Sequence, residues 1–213
     1  MPNWFVSGGI VMVPLLLFSI LAVALILERI SFWSKINQRQ TRIVRETLYL
    51  YRREPGEALL LLEKNRDLPI ARIFTAALEL EQATPEEFRL ALESAAQAEI
   101  PLLKRFNTVF ETIIGLAPLL GLLGTVLGLI TSFASLSVVD PGSSNPRGVT
   151  GGISEALVST AAGLAVAITT LLFANTFRGL YTRQIALIQE YGGQLELLYR
   201  RRYERGGIPH ASS

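Results

Sequence analysis

Thr125, Thr160 and Glu155 are the side chains in the apolar parts of this sequence whose chemistry suits handling a proton. A threonine hydroxyl donates and accepts hydrogen bonds at once, and a carboxylate takes up a proton reversibly. Thr125 lies in Ile113–Leu136, IIGLAPLLGLLGTVLGLITSFASL, a run without a charged residue. Within it Ala117, Gly121, Thr125, Gly128, Ser132 and Ser135 recur at steps of four, four, three, four and three. That spacing puts all six on one helical face. Thr160 lies in GGISEALVSTAAGLAVAITTLLFAN, where Thr160, Gly163, Ala167, Thr170 and Ala174 recur at steps of three, four, three and four. A second row, Ser159, Ala162, Val166 and Thr169, runs beside them.

A helix built only to dissolve in lipid carries bulky apolar residues all round. A stripe of small and hydroxylated residues serves close approach of another helix, or lines a little water. For the glycines and alanines, packing is the plainer reading. For Thr125 and Thr160, at comparable positions along two facing helices, both readings stand, because a hydroxyl can also bond back onto its own helix. Glu155 precedes Arg178 by 23 residues, roughly 34 Å of helix, which puts it near an interface. It reads either as a first-turn acid, favoured by the helix dipole by some tenths of a kcal/mol, or as a proton or cation entry group facing a water-filled opening. Glu111, at the other end of the second run, reads as interfacial.

Other chemistries lack their residues. There is no cysteine, and the single histidine, His210, sits in a polar tail. No zinc signature can be assembled from that set. Gly121-Leu-Leu-Gly124-Thr125 lacks the lysine and the spacing of a phosphate-binding loop, and no nucleophile–base pair is evident. The expectation is a chain with no catalytic residue, metal, cofactor or nucleic-acid partner. The Arg200–Arg205 cluster reads as a charged helix end that also suits anionic lipid.

The elements that must position these residues follow from hydropathy. The chain has 213 residues and is 50% hydrophobic, with a mean hydropathy of +0.38. Ile10–Leu27, Thr112–Val139 and Ala156–Phe177 each lack Asp, Glu, Lys and Arg, and each is long enough to span a bilayer. The first has no basic residue before it, exceeds a signal peptide's apolar core and meets Glu28-Arg29 without a cleavage motif, so it reads as a retained anchor. Glu28–Phe110 mixes both charges and is punctuated by Pro55-Gly56, Pro69 and Pro85. Thr84-Pro85-Glu86-Glu87 is a helix start with Thr as N-cap, Pro at N1 and Glu at N3. From there a helical pattern runs through Leu90, Leu92, Ile100, Leu103 and Phe106 into the second span, with Pro101 as a possible kink point.

Of 20 Lys and Arg, only Arg147 lies between the second and third runs, and none precedes the first. Positive charge stays cytoplasmic. The expected layout is an all-α membrane protein of three transmembrane helices, with a helical cytoplasmic domain from the long first loop and the C-terminal helix. In order, these are a periplasmic N-terminus (1–9), spans at 10–27, 112–137 and 153–177, a cytoplasmic domain (28–111), a periplasmic loop (138–152) and a cytoplasmic helix and tail (178–213).

Two segments carry more than spacing. GLAPLLGLLGTVLGLITSF (Gly115–Phe133) and GGISEALVSTAAGLAVAIT (Gly151–Thr169) closely resemble the ExbB/TolQ/MotA proton-channel family. The three-span layout resembles the ExbB and TolQ branch; MotA-type stators have a fourth span. The resemblance implies that Thr125, in G-L-x-G-T, and Thr160, in E-A-L-x-x-T, are the pore-associated hydroxyl pair, and that Glu155 is the family's acid at the start of that segment. Gly121, Gly128, Ser132, Gly163, Ala167 and Thr170 are then the packing stripe. Ser159 and Val158 stand where many relatives have Ala and Leu. The resemblance further implies a homo-oligomeric ring, typically pentameric, around ExbD or TolR-like single-span subunits that carry the titrating aspartate. In an inner membrane such a ring would convert proton motive force into work relayed through a TonB-like transducer. A TolQ role in envelope integrity and a non-transporting helical scaffold stand as the alternatives.

Overall fold

The computed structural model describes residues 8–137 and 146–206. Of the expectations above, those for 1–7, for 138–145 and for 207–213, His210 included, lie outside the described residues. Six helices follow in order: α1 (Met12–Arg53), α2 (Pro55–Glu63), α3 (Pro69–Leu78), α4 (Pro85–Leu103), α5 (Asn107–Ser137) and α6 (Pro146–Glu204). Prolines set the starts of α2, α3 and α4, each at the first helical turn, where the missing N–H costs nothing. Thr84 caps α4 as its sequence indicates. Its hydroxyl accepts from the Glu87 N–H, and the Glu87 carboxylate accepts from the Thr84 N–H at 2.7 Å.

Two differences from the sequence reading stand out. The helical pattern does not run unbroken into the second span: α4 ends at Leu103 and α5 starts at Asn107. Phe106 between them adopts a left-handed φ of 69°. Pro101 lies in the last turn of α4, where it supplies no N–H and crowds the preceding turn. The second difference is at the third span. α6 begins at Pro146 and runs for 59 residues without a break at Arg178, so part of the segment expected as loop is helical. Pro at the start pre-sets the helical φ.

The chain divides into two compact units, one of Met1–Arg29 with Phe106–Phe177 and the other of Ile30–Arg105 with Arg178–Ser213. The first contains three helical stretches, from α1, α5 and α6. Val11, Leu15, Ala117 and Ala167 form a buried cluster among them, with Met12, Leu120, Leu127, Ala162 and Val166 packed around it. Phe110 and Phe177 meet with ring centroids 5.9 Å apart. Outward, this unit presents bulky apolar side chains: Phe133 is 66% exposed, Leu157 66% and Leu172 65%. Apolar windows of mean hydropathy 2.3, 2.3 and 2.0 in α1, α4–α5 and α6 are long enough to cross a bilayer. An apolar surface that continuous needs lipid or protein against it. The chain is an all-α, multi-pass membrane protein.

The second unit is built as a soluble helical domain is. α3 is its centre, with Ile70, Ala71, Ile73, Phe74 and Ala77 all buried. Phe88 of α4 stacks on Tyr199 of α6 with centroids 3.9 Å apart, and the Tyr199 hydroxyl donates to the Ala83 carbonyl at 2.6 Å. Gln40 of α1 and Gln184 of α6, both buried, exchange amide hydrogen bonds of 3.2 and 2.6 Å. Each amide satisfies the other, so neither leaves a polar group stranded. Arg72 makes a two-pronged ion pair with Glu99, at 2.6 and 2.5 Å, and this carboxylate holds the guanidinium pKa above its ordinary value.

Candidate functional site

The two small-residue stripes face each other within one chain. α5 and α6 run antiparallel, and the contacts descend in register: Ala117 with Gly163, Gly121 with Thr160, Thr125 with Ala156, Gly128 with Gly152, Ser132 with Val149. Glycine is what lets the backbones come this close. A β-carbon on Gly128 would lie 2.6 Å from the Gly152 carbonyl oxygen, and one on Gly163 would lie 2.5 Å from that of Ala117. Gly121, Gly128, Ser132 and Gly163 are buried in this contact. Ala167 joins the cluster of Val11, Leu15 and Ala117. Thr170, also buried, donates to its own helix at the Val166 carbonyl, 2.7 Å away.

Thr125 and Thr160 meet at the centre of that register. Their hydroxyl oxygens are 2.5 Å apart. Thr160 Oγ1 also lies 3.0 Å from the Gly121 carbonyl oxygen, and Thr125 Oγ1 lies 3.3 Å from the same oxygen and 3.4 Å from that of Ala156. Each hydroxyl has one proton. One of them therefore donates to the other, and the second donates to a carbonyl. Turning both hydroxyls reverses the direction of the chain at the cost of a longer carbonyl bond. That reversibility is what a proton or water relay needs, and a pair of valines could not supply it. Both threonines are half-buried, so the pair is not sealed in the helix contact.

Glu155 is also half-buried, and its surroundings differ from those expected. It is the tenth residue of α6, well past the first turn, so the dipole of its own helix end is not what it meets. Its carboxylate instead lies against Gly9, where a β-carbon would collide with it. Gly9 has a φ of +69°, and its carbonyl accepts from the Met12 N–H at 3.1 Å, at the start of α1. The carboxylate thus sits beside the positive end of another helix. Five residues, roughly 7.5 Å of helix, separate it from Thr160.

Ser159 completes the polar set. It is fully buried, donates to the Ala156 carbonyl at 3.0 Å and lies 3.4 Å from that of Gly121. Next to it on α5 is Gly124, where a β-carbon would strike the Ser159 hydroxyl. The sequence puts Ser159 in a secondary row and offers no reason to place Gly9 or Gly152 at the site. The signal for Gly124 is its spacing: Gly124 and Gly128 are four residues, about one turn, apart. Nothing local marks Gly9 as a neighbour of Glu155. Past the threonine pair the interior is the apolar cluster of Val11, Leu15, Ala117 and Ala167. Among the described residues no cluster of three or more His, Asp or Glu is placed to hold a metal ion.

Comparison with known proteins bears on this geometry. The model of the MotA/TolQ/ExbB proton channel family matches residues 65–190, which include both hydroxyls and Glu155. A Synechocystis sp. protein described as putative biopolymer transport protein ExbB-like 3 is 65% identical over 199 residues, covering 93% of this chain and 95% of its own. A second from the same organism, ExbB-like 1, is 43% identical and covers 92% of this chain and 78% of its own. The Tol-Pal system protein TolQ of Haemophilus influenzae is 32% identical over 56% of this chain and 51% of its own. A family model that covers more than half of the sequence, and relatives aligned over nine-tenths of it, agree with the paired hydroxyl faces: the chain belongs to the MotA/TolQ/ExbB proton channel family.

Proposed function

We propose that this protein is an ExbB-like channel subunit of a proton-driven motor in the inner membrane. Several copies, most simply five, form a ring around an ExbD or TolR-like single-span partner, whose carboxylate carries the proton. The observation that carries this reading is the half-buried Thr125–Thr160 pair in a charge-free setting. The three apolar runs supply no acid of their own between Glu111 and Asp140 or between Glu155 and Arg178. A titrating group at that depth has to come from another chain, since an ionised side chain held there without a partner is costly. Glu155 stands at the outer mouth, and the hydroxyl pair relays protons between it and the partner's acid.

The basic-residue asymmetry supports a periplasmic N-terminus and a cytoplasmic C-terminus. A membrane potential supplies about 2.3 kcal/mol per charge per 100 mV, so a few protons suffice to move a two-state element. That work is passed to a TonB-like transducer. The higher identity and coverage of the ExbB-like relatives favours this over the TolQ role. The test is proton flux into liposomes that hold the protein and its co-purified partner. Thr125→Val with Thr160→Val abolishes flux while the assembled complex keeps its mass; wild-type flux in that double variant overturns the reading. A scaffold would pass no protons under an imposed potential even without substitution.

A further inference from the structure

Five arginines of the second unit each have an acid beside them. Arg39 pairs with Asp67, Arg66 with Glu79, Arg72 with Glu99, Arg89 with Glu86 and Glu93, and Arg200 with Glu196. Another group is gathered in one place instead. Arg52 from the end of α1, and Arg201, Arg202 and Arg205 from the end of α6, line one cavity of about 440 Å³ together with Tyr51 and Leu198. No carboxylate lines it. The nearest acids in sequence, Glu54 and Glu204, are exposed and outside the lining.

Basic residues in a last turn are favoured by the helix dipole, which accounts for their being on each helix end. It does not account for four arginines from two helix ends lining one concavity, where like charges oppose one another. The cavity has a built floor. Tyr51 is 4% exposed, and burial pushes its phenol pKa up to about 12, against a smaller opposing effect of Arg202. The phenol is therefore a neutral O–H donor at any physiological pH. Four forked cations and a neutral phenol, with no carboxylate in the lining, suit an oxyanion. Guanidinium suits phosphate oxygens by two-point contact better than it suits a single point charge. The volume lies in the range of small-molecule sites.

We propose that the cavity bounded by Tyr51, Arg52, Arg201, Arg202 and Arg205 binds a phosphate-bearing anion. The ligand is either a soluble di- or triphosphate or the headgroup of an anionic phospholipid. This site lies in the second unit and does not depend on how protons cross the first.

The test uses the full-length protein, purified in detergent with whatever co-purifies. In one arm, pyrophosphate and ATP are titrated by calorimetry at low and moderate salt. In the other, native mass spectrometry counts retained phosphatidylglycerol against phosphatidylcholine. The compared forms are wild type, Arg201→Gln/Arg202→Gln, Tyr51→Phe, and Arg42→Gln/Arg45→Gln, which removes the same charge from exposed positions outside the cavity. Expected is a salt-sensitive affinity about tenfold weaker in the Arg201/Arg202 variant and unchanged in the Arg42/Arg45 control, with a smaller loss for Tyr51→Phe. The effect in the first arm assigns a soluble phosphate; the effect in the second alone assigns a lipid headgroup. Equal losses in the two double variants, or no binding in either arm, overturn the proposal. If Arg201→Gln/Arg202→Gln does not fold, Arg52→Gln carries the same comparison.

Discussion

Replacing Gly128 by alanine tests the close approach of α5 and α6 against a matched control on the same helix. The added β-carbon would lie 2.6 Å from the Gly152 carbonyl oxygen, 2.9 Å from the Ala156 nitrogen and 3.0 Å from the Ala156 β-carbon. Two of these three atoms are backbone, so no side chain can swing away to make room. Reaching an ordinary 3.4 Å contact with the Gly152 oxygen requires α6 to move by about 0.8 Å. Overpacking of this kind costs about 1–3 kcal/mol, while alanine gains about 1 kcal/mol over glycine as a helix former. The expected net loss is up to about 2 kcal/mol. Gly115, also on α5, has nothing within 4 Å of its would-be β-carbon, so Gly115→Ala gains a few tenths to about 1 kcal/mol. The functional consequence follows from register. Thr125 is three residues from Gly128, and a shift of that size stretches the 2.5 Å hydroxyl contact to about 3.3 Å, a weak hydrogen bond. Detergent unfolding of the purified protein, with proton flux into liposomes alongside its partner, measures both effects. If Gly128→Ala matches Gly115→Ala in stability and in flux, the close-approach reasoning is wrong.

Gly9→Ala places a β-carbon on the Glu155 carboxylate and holds a non-glycine residue at φ +69°, at a backbone cost of about 1–2 kcal/mol. Adding Glu155→Ala recovers part of the lost stability but not the flux, as unfolding midpoints and liposome assays of the two variants would establish. Thr84→Ala removes the α4 cap and costs about 1 kcal/mol, read as a lower unfolding midpoint. The hydrogen bonds from Thr84 hold the Glu87 pKa below its ordinary value. That contribution is therefore present above the ordinary carboxylate pKa and is lost as pH falls through the lowered one, and the midpoint of Thr84→Ala should vary less with acid pH than that of wild type. Glu99→Gln breaks the two-pronged pair with Arg72, in which the Glu99 carboxylate is the better buried partner; a loss of about 2 kcal/mol is expected. Tyr51, with a pKa of about 12, stays neutral while unfolded tyrosines ionise near pH 10. The native state therefore keeps its full stability below pH about 10 and loses some as pH rises from there through about 12, and ultraviolet titration should lose one late-ionising phenol in Tyr51→Phe.

Properties that depend on a few neighbouring residues were legible in the amino-acid sequence. Three charge-free runs require a membrane because hydropathy is a sum over adjacent side chains. Thr84-Pro85-Glu86-Glu87 starts a helix because the cap bonds span only three residues. The stripe through Gly121, Thr125 and Gly128 is legible because helical period alone puts those residues on one face. Even locally there were limits. The turn between Leu103 and Asn107 carries no glycine, and apolar periodicity continues on both sides of it, so nothing in composition announces the break.

What the tertiary structure decided is which faces meet, and at what register. Thr125 and Thr160 are 35 residues apart, and their hydroxyls touch only because Gly121, Gly128 and Gly163 let two antiparallel backbones close to near contact. A register shifted by one turn would keep every stripe intact and leave the hydroxyls apart. Gly9 and Glu155 are joined across nearly 150 residues, as are Arg52 and Arg201. Such pairings are set by the packing of whole helices, through many weak contacts that no short segment encodes.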